Sequence, residues 1–394
     1  MSRPPGTTTV SGPPPLLQPA PLQAGLAPPP RRHSILLRTL FGLAAIALMA
    51  GGGAWLLNAS IDPAEDVEGQ AAPTRRELLT DVKSWGYQLQ KFDTAAAARS
   101  PHDLLVIDEA FEGPERTQRR NETLRALKRK PDGGRRLVLA YLSIGEAEDY
   151  RAYWGRDWVA SGLMLQPARS SDFSAISPAQ ASPRPAETTV AVGRSRQPLR
   201  APTLAAPAWL GDENAAWRGN FRVRYWDAGW QALIFGSETA ALERIIDAGF
   251  DGVYLDRADV HQGWLKERPQ ARADMEALIQ RVSSRGRELS PGFVVVMQNA
   301  EELLASSRVR GALDAVAKED LLFGIDGDAK PNAERDVAAS LQLLKTAQRQ
   351  GLPVLVVEYL SDDGAIARAR QKLDANGFIP YFAPRALDGL RASR

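Results

Sequence analysis

The sequence predicts an α/β fold, a (β/α)8 TIM barrel preceded by a disordered N-terminal tail and one transmembrane helix. Two observations predict the barrel: short apolar runs alternate with helical patterns, and six of these runs stop at a carboxylate. Strands buried on both faces read as continuous apolar runs, and the chain emerges into a solvated site at their carboxyl ends. Acids at strand ends therefore predict a carboxylate-lined pocket on the C-terminal face of a barrel.

The first 58 residues resemble a tail followed by a membrane segment. Residues 1–33 are rich in Pro, Gly, Ala and Thr and lack apolar periodicity, which predicts a disordered cytoplasmic tail. From Leu40 to Leu57 the chain carries no charge, is long enough to cross a bilayer as a helix, and is preceded by arginines. We therefore expect a transmembrane signal-anchor over 34–58, with the following domain on the periplasmic or extracellular side. A cleaved signal and a secreted domain are the alternative.

Residues 59–76 are polar and acidic and predict a linker, and residues 77–394 then form the barrel domain. Eight apolar runs are strand candidates. They are Trp85–Gln90, Asp103–Asp108, Arg136–Ser143, Phe221–Asp227, Asp251–Asp256, Phe293–Asn299, Ala315–Glu319 and Pro353–Leu360. A ninth run starts at Gly377. Because an eight-stranded barrel has no place for it, either this run or the run at Trp85 is expected to pair outside the barrel.

Helical patterns separate the strand candidates. Residues 237–249 and 335–351 show this spacing and end in Gly, the residue preferred after a helix C-terminus. Residues 159–208, in contrast, are rich in Ser, Ala, Pro and Arg with little apolar spacing, which predicts a low-complexity insertion. The insertion follows the third strand candidate and so leaves from the C-terminal face, where we expect a solvated loop rather than a lid.

Charge and residue counts exclude several function classes. With 49 basic and 47 acidic residues the net charge is +2, so no nucleic-acid partner is expected. The chain has no cysteine, which excludes disulfides, thiolate nucleophiles and zinc–thiolate sites. Its three histidines, His33, His102 and His261, share no ligand spacing, and no HExxH, P-loop or GxSxG motif occurs. We expect neither a metal nor a cofactor.

Two strand-end acids facing one pocket satisfy the needs of glycoside cleavage. That reaction uses a proton donor for the leaving oxygen and a second carboxylate as nucleophile or base. Asp256 is the first candidate, because it ends the cleanest buried run and is followed by Arg257 and Asp259, polar groups that could orient it. The alternative role for Asp256 is to cap the following helix.

Glu319 is the second candidate and lies between Lys318 and Asp320. A like-charged neighbour would raise the pKa of Glu319 toward the range of a general acid. The ammonium of Lys318 would oppose this if it approached the same carboxylate, because a nearby cation favours the ionised form.

Several longer sequence blocks resemble one known family. Among them are YLSIGEAEDYR, YWDAGWQ, GVYLDR, AKEDLLF and GFIPYFAPRALDGL, which together with shorter blocks extend from about Trp85 to Leu390. They resemble the endo-alpha-1,4-polygalactosaminidase family, glycoside hydrolase family 114. The resemblance implies a (β/α) barrel, cleavage of galactosamine-containing polysaccharide, and two catalytic carboxylates at Asp256 and Glu319. The chain departs from the family pattern in the 159–208 insertion, which bears on substrate access rather than on chemistry.

More acids end strand candidates than two-carboxylate chemistry requires. A polymer with free amines carries ammonium groups, and surplus carboxylates in a partly desolvated cleft would pair with them. Helix capping or pairing with arginine is an equally expected role for any one of these acids. Strand-end tyrosines could stack on sugar rings or belong to the core. The residues predicted to bind substrate are Asp108, Tyr141, Glu146, Asp227, Asp259, Asn299, Glu358 and Tyr359.

These features predict a membrane-tethered glycosidase that cleaves a cationic or amino-sugar polysaccharide, and we expect the retaining mechanism. The alternative function is a non-catalytic barrel that binds exopolysaccharide during export or assembly. An Asp256→Asn variant distinguishes the two, because loss of turnover with retained binding identifies the enzyme.

Overall fold

The computed structural model of the chain describes residues 74–111, 117–160 and 199–391. The predicted tail, the predicted transmembrane segment over 34–58, and most of the linker and the insertion lie outside these residues. A search of the described helices found none that is long and apolar enough to span a bilayer.

Strands and helices alternate through most of the described residues. The strands are β1 (Trp85–Gln88), β2 (Leu104–Asp108), β3 (Leu137–Ser143), β4 (Glu146–Glu148), β5 (Leu210–Glu213), β6 (Asn220–Val223), β7 (Gly252–Asp256), β8 (Val294–Gln298), β9 (Ala315–Glu319), β10 (Phe323–Gly324), β11 (Gly327–Pro331), β12 (Val354–Glu358) and β13 (Ile379–Phe382). The helices are α1 (Arg75–Thr80), α2 (Thr94–Arg99), α3 (Thr117–Leu127), α4 (Ala228–Ile234), α5 (Ala241–Ala248), α6 (Ala271–Leu289), α7 (Ser307–Ala312), α8 (Glu334–Gln348) and α9 (Asp363–Ala375). The 3-10 helices Ala258–Trp264 and Glu301–Ala305 follow β7 and β8.

Eight parallel strands form one sheet that nearly closes into a barrel, in the order β1-β2-β3-β7-β8-β9-β12-β13. The predicted barrel architecture is confirmed at this level. The runs at Trp85 and Gly377, of which the prediction placed only one in the barrel, both belong to the sheet, as β1 and β13. The prediction of Phe221–Asp227 as a barrel strand is wrong. Its first residues lie in β6, which pairs antiparallel with β4 and β5 in a separate three-stranded sheet between β3 and β7.

Side chains bridge the edge strands β1 and β13, which are not hydrogen-bonded neighbours in the described sheet. Trp85 Nε1 donates to the carbonyl of Ile379 at 2.9 Å, and its ring centroid lies 5.6 Å from that of Tyr381. Beyond the strand, Leu89 N donates to the carbonyl of Leu387 at 3.0 Å. The C-terminal segment after β13 therefore stays close to the seam and to the mouth of the barrel.

Strand alternation sorts the apolar side chains into two clusters. On β3, Leu139 and Tyr141 belong to the cluster inside the barrel, whereas Ala140 and Leu142 belong to the cluster that includes residues of the surrounding helices. This division explains why the parallel strands read as continuous apolar runs, since both faces of the sheet are buried.

Helix α1 covers the N-terminal end of the barrel. It begins with a capping box between Thr74 and Glu77, and its Leu79 is buried with the inner cluster. Arg75 Nε bonds Asp251 Oδ1 at 3.2 Å, and Asp251 lies directly before β7. The strand-end acids lie on the opposite, C-terminal face, which this helix does not cover.

Candidate active site

The two predicted catalytic acids end two strands of the same sheet. Asp256 is the last residue of β7 and Glu319 is the last residue of β9, and β8 lies between these strands. Tyr254 and Ala317, two residues earlier on each strand, point into the barrel. Since strand side chains alternate, both acids continue an inward series and point into the barrel mouth. Each acid is 3% exposed.

Gln298, at the end of β8, bridges the two acids. Its Nε2 donates to Asp256 Oδ1 at 2.9 Å and to Glu319 Oε2 at 2.7 Å. Because one nitrogen contacts both oxygens, these oxygens are separated by no more than the sum of the two distances, about 5.6 Å. The side chain of Gln298 is itself buried, so the separation of the two carboxylates is set by a packed residue.

Asp256 is surrounded by hydrogen-bond donors. Tyr141 Oη donates to its Oδ2 at 2.6 Å, and the backbone N–H of Arg257 donates to its Oδ1 at 2.8 Å, in addition to the bond from Gln298. The side chain of Asp256 is therefore held in a fixed orientation by donors from three residues.

Glu319 has an environment that favours the protonated form. Burial, together with the adjacent Asp256 carboxylate, raises the pKa of Glu319 to about 8, although a hydrogen bond from Tyr359 Oη to its Oε1 acts in the opposite direction. The backbone N–H of Glu319 donates to Asn299 Oδ1 at 3.1 Å. Burial and the neighbouring carboxylate therefore favour the protonated form of Glu319, while Asp256 accepts three hydrogen bonds, an arrangement suited to acid–nucleophile chemistry.

Lys318 does not act on Glu319 in the way the sequence left open. Its Nζ pairs with Glu301 Oε1 at 3.2 Å and lies 3.4 Å from Asn299 Oδ1. Alternation along β9 directs the Lys318 side chain away from the barrel interior, whereas Glu319 points into it. The nearest ammonium is thus engaged by another carboxylate.

The three strands that carry this site end in strained backbone. Positive φ angles occur at Arg257 (65°), Asn299 (57°), Ala300 (51°) and Asp320 (50°), and each follows one of the residues Asp256, Gln298 and Glu319 directly or after one position. Residues other than glycine rarely adopt this left-handed region, and such strain concentrates at functional sites. The sharp turns take the chain away from the mouth immediately after each functional side chain.

Arg257 connects the catalytic strand to the small three-stranded sheet. Its Nη2 donates to Glu146 Oε1 at 3.0 Å, and Glu146 also accepts from Asn214 Nδ2 at 2.8 Å. A Cβ at Gly145 would lie 2.1 Å from the carbonyl oxygen of Arg257, so only glycine allows the two segments to approach this closely. Glu146, which the sequence placed at the end of a barrel strand, lies instead on β4 and positions this sheet.

Asp259 is the predicted binding acid that stays closest to the site. Its Oδ2 lies 3.6 Å from Arg257 Nη1, and its Oδ1 accepts no hydrogen bond in the described part of the chain. Burial raises the pKa of Asp259 to about 6, against the opposing effect of Arg257. A buried carboxylate oxygen without a hydrogen-bond partner is uncommon in folded proteins and sets Asp259 apart from the paired acids around it.

Three other predicted binding acids have structural partners. Asp108 forms a two-pronged ion pair with Arg151, at 2.9 and 2.8 Å. Asp227 caps α4 by accepting from the backbone N–H of Gly229 at 2.7 Å, which is the alternative role considered for such acids. Glu358 is fully buried and accepts from the backbone N–H of Leu322 at 2.7 Å. The ring of surplus free carboxylates predicted for the mouth is therefore not present in that form.

Replacing Glu358 with Gln is expected to lower the free energy of unfolding by about 1–3 kcal/mol, because one carboxylate oxygen that accepts a backbone N–H becomes an N–H2 donor. Burial raises the pKa of Glu358 to about 8, above its value in the unfolded chain. Glu358 therefore makes its full contribution to the free energy of unfolding below its pKa in the unfolded chain. This contribution is lost as pH rises through about 8. Urea unfolding at pH 5 and pH 9 tests this, and the deficit of the variant should be larger at pH 5.

The matched control is Asp362→Asn. Asp362 caps α9 by accepting from Ala365 N at 2.6 Å, and Asn caps helices as well as Asp does. The stability of the Asp362→Asn variant should change little at either pH. An equal deficit for Glu358→Gln at both pH values would contradict the assignment of a buried, protonated Glu358.

The predicted binding residues Tyr141, Tyr359 and Asn299 lie at the acid pair. Both tyrosines are buried and donate to one acid of the pair, so they orient these acids and do not offer open faces to a sugar. Sequence reasoning missed Gln298. A signal was present, because the run Phe293–Asn299 ends in two amides where the other runs end in acids.

No group of three or more His, Cys, Asp or Glu side chains within the described ranges could hold a metal ion. The arrangement can supply one proton and one nucleophile on the same mouth of the barrel, held by Gln298, Tyr141 and Tyr359. This arrangement suits acid-assisted nucleophilic substitution at a carbon atom that carries a leaving oxygen.

The chain is similar to several known proteins. The model of Glycoside-hydrolase family GH114 matches residues 192–394. An uncharacterized protein of Deinococcus radiodurans is 31% identical over 322 residues, which cover 81% of this chain and 85% of that protein. An uncharacterized protein of Methanocaldococcus jannaschii is 31% identical over 324 residues, 78% of this chain and 77% of that protein. Among solved structures, Aspergillus fumigatus Ega3 in complex with galactosamine aligns with a TM-score of 0.49 and 13% identity, over 79% of this chain and 94% of that chain.

Proposed function

This chain belongs to glycoside hydrolase family GH114 and is therefore a glycosidase, and from that premise we propose that it cleaves alpha-1,4-linked galactosamine or N-acetylgalactosamine polysaccharide with retention of configuration. The sugar and the linkage follow from the family resemblance of the sequence blocks. The mechanism follows from the geometry of Asp256 and Glu319.

The separation of the two carboxylates carries the proposal of retention. Carboxyl groups stand about 5–5.5 Å apart in retaining glycosidases and about 6.5–9.5 Å apart in inverting enzymes, which need room for a water. The bridge through Gln298 limits the two contacted oxygens to about 5.6 Å. This limit is close to the separation typical of retaining enzymes and supports direct attack by one carboxylate.

Asp256 is the proposed nucleophile and Glu319 the proposed acid and base. In the first step an Asp256 oxygen bonds to the anomeric carbon, the bond to the leaving oxygen breaks, and the Glu319 proton passes to that oxygen. In the second step Glu319 takes a proton from water, the water oxygen bonds to the anomeric carbon, and the ester to Asp256 breaks. The protonated state of Glu319 at neutral pH suits the first step.

The charge of the mouth supports an amino-sugar substrate. Among the described residues around the acid pair are the acids Asp256, Asp259, Glu146 and Asp320, of which the last three form ion pairs with two arginines, Arg257 and Arg385. With Glu319 protonated, the local charge is still negative, and a cleft with walls of low dielectric strengthens its attraction for a cation. Ammonium groups on a deacetylated polymer would be drawn to this site as a whole, and not to separate surplus carboxylates.

The full chain should release reducing ends from alpha-1,4-linked galactosamine polymer, and the anomer that appears first should keep the alpha configuration of the cleaved bond. Proton NMR during the first minutes, before mutarotation, identifies that anomer. The N-acetylated polymer serves as the matched substrate that lacks charge. Initial release of the beta anomer would overturn retention, and binding of either polymer without cleavage would favour a polysaccharide-binding module.

A further inference from the structure

Arg385 lies in the segment after β13 and contacts three parts of the barrel mouth. Its Nη1 and Nη2 donate to the two oxygens of Asp320, each at 3.0 Å. Its guanidinium carbon lies 4.4 Å from the ring centroid of Tyr359, and its Nε donates to Asp328 in β11 at 2.5 Å. The side chain is 19% exposed. A planar cation is thus held between the residue that follows Glu319 and the tyrosine that donates to Glu319.

We propose that Arg385 is a positioning residue for Glu319, which it holds from two sides through Asp320 and Tyr359. The inference rests on the proposed function, in which Glu319 is the acid and base. Arg385 acts through its neighbours, because its donors are directed at Asp320 and Asp328. Its place in the chain is remote from Glu319, and the path of the C-terminal segment along the seam brings it to the mouth.

The first contact supports the backbone that follows Glu319. Asp320 has a φ of 50°, in the left-handed region that residues other than glycine seldom adopt without support from their surroundings. The two-pronged ion pair with Arg385 supplies that support together with Asn332, whose Nδ2 donates to the Asp320 carbonyl at 2.7 Å. A Cβ at Gly324 would lie 2.2 Å from Asp320 Oδ1, so the β10–β11 hairpin packs directly on this pair.

The second contact fixes the ring of Tyr359. A guanidinium over an aromatic face is attracted to the ring and selects one orientation of its plane. Because Tyr359 Oη donates to Glu319 Oε1, the orientation of the ring determines where the proton-bearing carboxyl group points. Lysine could keep the charge at this position but could not reproduce both the planar stack and the fork on Asp320.

Arg385 also influences the protonation of Glu319. The charged and titratable groups around Glu319 are Asp256 and Tyr254 on β7, Lys318 and Asp320 beside it in sequence, Tyr359 after β12, and Arg385. Burial, Asp256 and Asp320 raise the pKa of Glu319, whereas Tyr359 and Arg385 lower it. Removing the Arg385 cation should therefore raise this pKa, and removing the Asp320 charge should lower it.

A carboxyl-carbon NMR titration of the full chain, labelled with carbon-13 glutamate, tests this influence without any substrate. Glu319→Gln assigns the signal. The midpoint of Glu319 should move upward by about half a pH unit or more in Arg385→Gln and downward in Asp320→Asn. It should stay near the wild-type value in the double variant, because the two removed charges cancel. Unmoved midpoints in both folded single variants would overturn the proposal.

Arg385→Lys separates positioning from charge. In this variant the titration midpoint of Glu319 should stay near the wild-type value. The kcat on the polymer should fall about tenfold or more, because the bidentate ion pair with Asp320 and the stacking on Tyr359 are lost. Wild-type kcat in Arg385→Lys would overturn positioning. If the wild-type chain cleaves no polymer, the proposed function fails, whereas the titration still decides whether Arg385 acts on Glu319. Should Arg385→Gln fail to fold, Asp320→Asn and Arg385→Lys provide the same decision.

Discussion

Replacing Asp256 with Asn is expected to lower polymer cleavage by about 10³-fold or more, because the nucleophile of the first step is removed. The change keeps the shape of the side chain. Its oxygen can still accept from Gln298 Nε2 and the Arg257 N–H, and its new N–H2 group can donate to Tyr141 Oη, whose own proton rotates away. We therefore expect an inactive but folded protein. Reducing-end release measures the loss.

Two controls make the Asp256 result specific. Thermal unfolding and polymer binding should stay close to wild type, since Gln298 and the Arg257 N–H keep their acceptor and Tyr141 Oη changes from donor to acceptor. In Asp256→Ala the space left by the carboxylate admits a small anion, and added azide should restore chain cleavage, with a glycosyl azide of opposite anomeric configuration, and no reducing end, as the product. Asp256→Asn with more than a tenth of wild-type turnover would show that another group is the nucleophile.

Replacing Glu319 with Gln is expected to lower polymer cleavage by about 10²–10⁴-fold, the usual contribution of a positioned general acid. The loss should be much smaller on an aryl glycoside in the first step, because a good leaving group needs no proton. The pH profile gives a second measure. Glu319 acts as an acid only when protonated, so wild-type kcat/KM should fall as pH rises through about 8, and this limb should vanish in the variant.

Glu358→Gln is the matched control for the alkaline limb. Burial raises the pKa of Glu358 to the same value of about 8, and this acid lies at the end of the neighbouring strand β12. Because its oxygens accept backbone N–H groups of Leu322 and Phe323, we expect Glu358→Gln to keep the limb despite its lower stability. Loss of the limb in Glu358→Gln, with Glu319→Gln unaffected, would assign the essential proton to Glu358.

Two acids with the same chemistry are given different states by their neighbours. Asp256 receives three hydrogen bonds, from Tyr141 on β3, from Gln298 on β8 and from the backbone N–H of the following residue, Arg257. Glu319 is buried beside the charge of Asp256, which disfavours a second negative charge at this distance. Gln298 donates to both acids and thereby couples their positions. The raised pKa of Glu319 is therefore a property of the assembled barrel mouth.

Seven of the eight predicted barrel strands lie in the barrel, because strands covered on both faces leave an unambiguous apolar run. The failure is Phe221–Asp227. Its apolar and aromatic residues pack in the outer cluster as part of a small antiparallel sheet, and a short buried segment reads alike in either setting. Asp227 follows no barrel strand and caps α4. The run at Gly377 took the open place as β13.

For the strand-end acids, the sequence pattern predicts position, whereas the bonding partner in the structure decides the role. The sequence predicted that Asp256 and Glu319 share one mouth, since the carboxyl ends of parallel strands meet on one face. It also predicted binding roles for Asp108 and Glu358, which Arg151 and backbone N–H groups occupy. A capping or paired acid and a substrate-binding acid have the same local signature, so only the identity of the partner separates them.

The sequence by itself determined the fold class, the strand ends that carry acids and the two acids most suited to catalysis, because burial on both faces and strand alternation are local rules that act along the chain. Only the tertiary structure decided that burial raises the pKa of Glu319, how closely the two acids approach, and which residues contact them. Those properties depend on Gln298, Tyr141 and Tyr359, which donate to the acids from three separate segments, and on Arg385, which contacts Tyr359 from a fourth. Hydrogen bonds and burial between distant segments leave no periodic pattern in the chain, and they exist only once the barrel has formed.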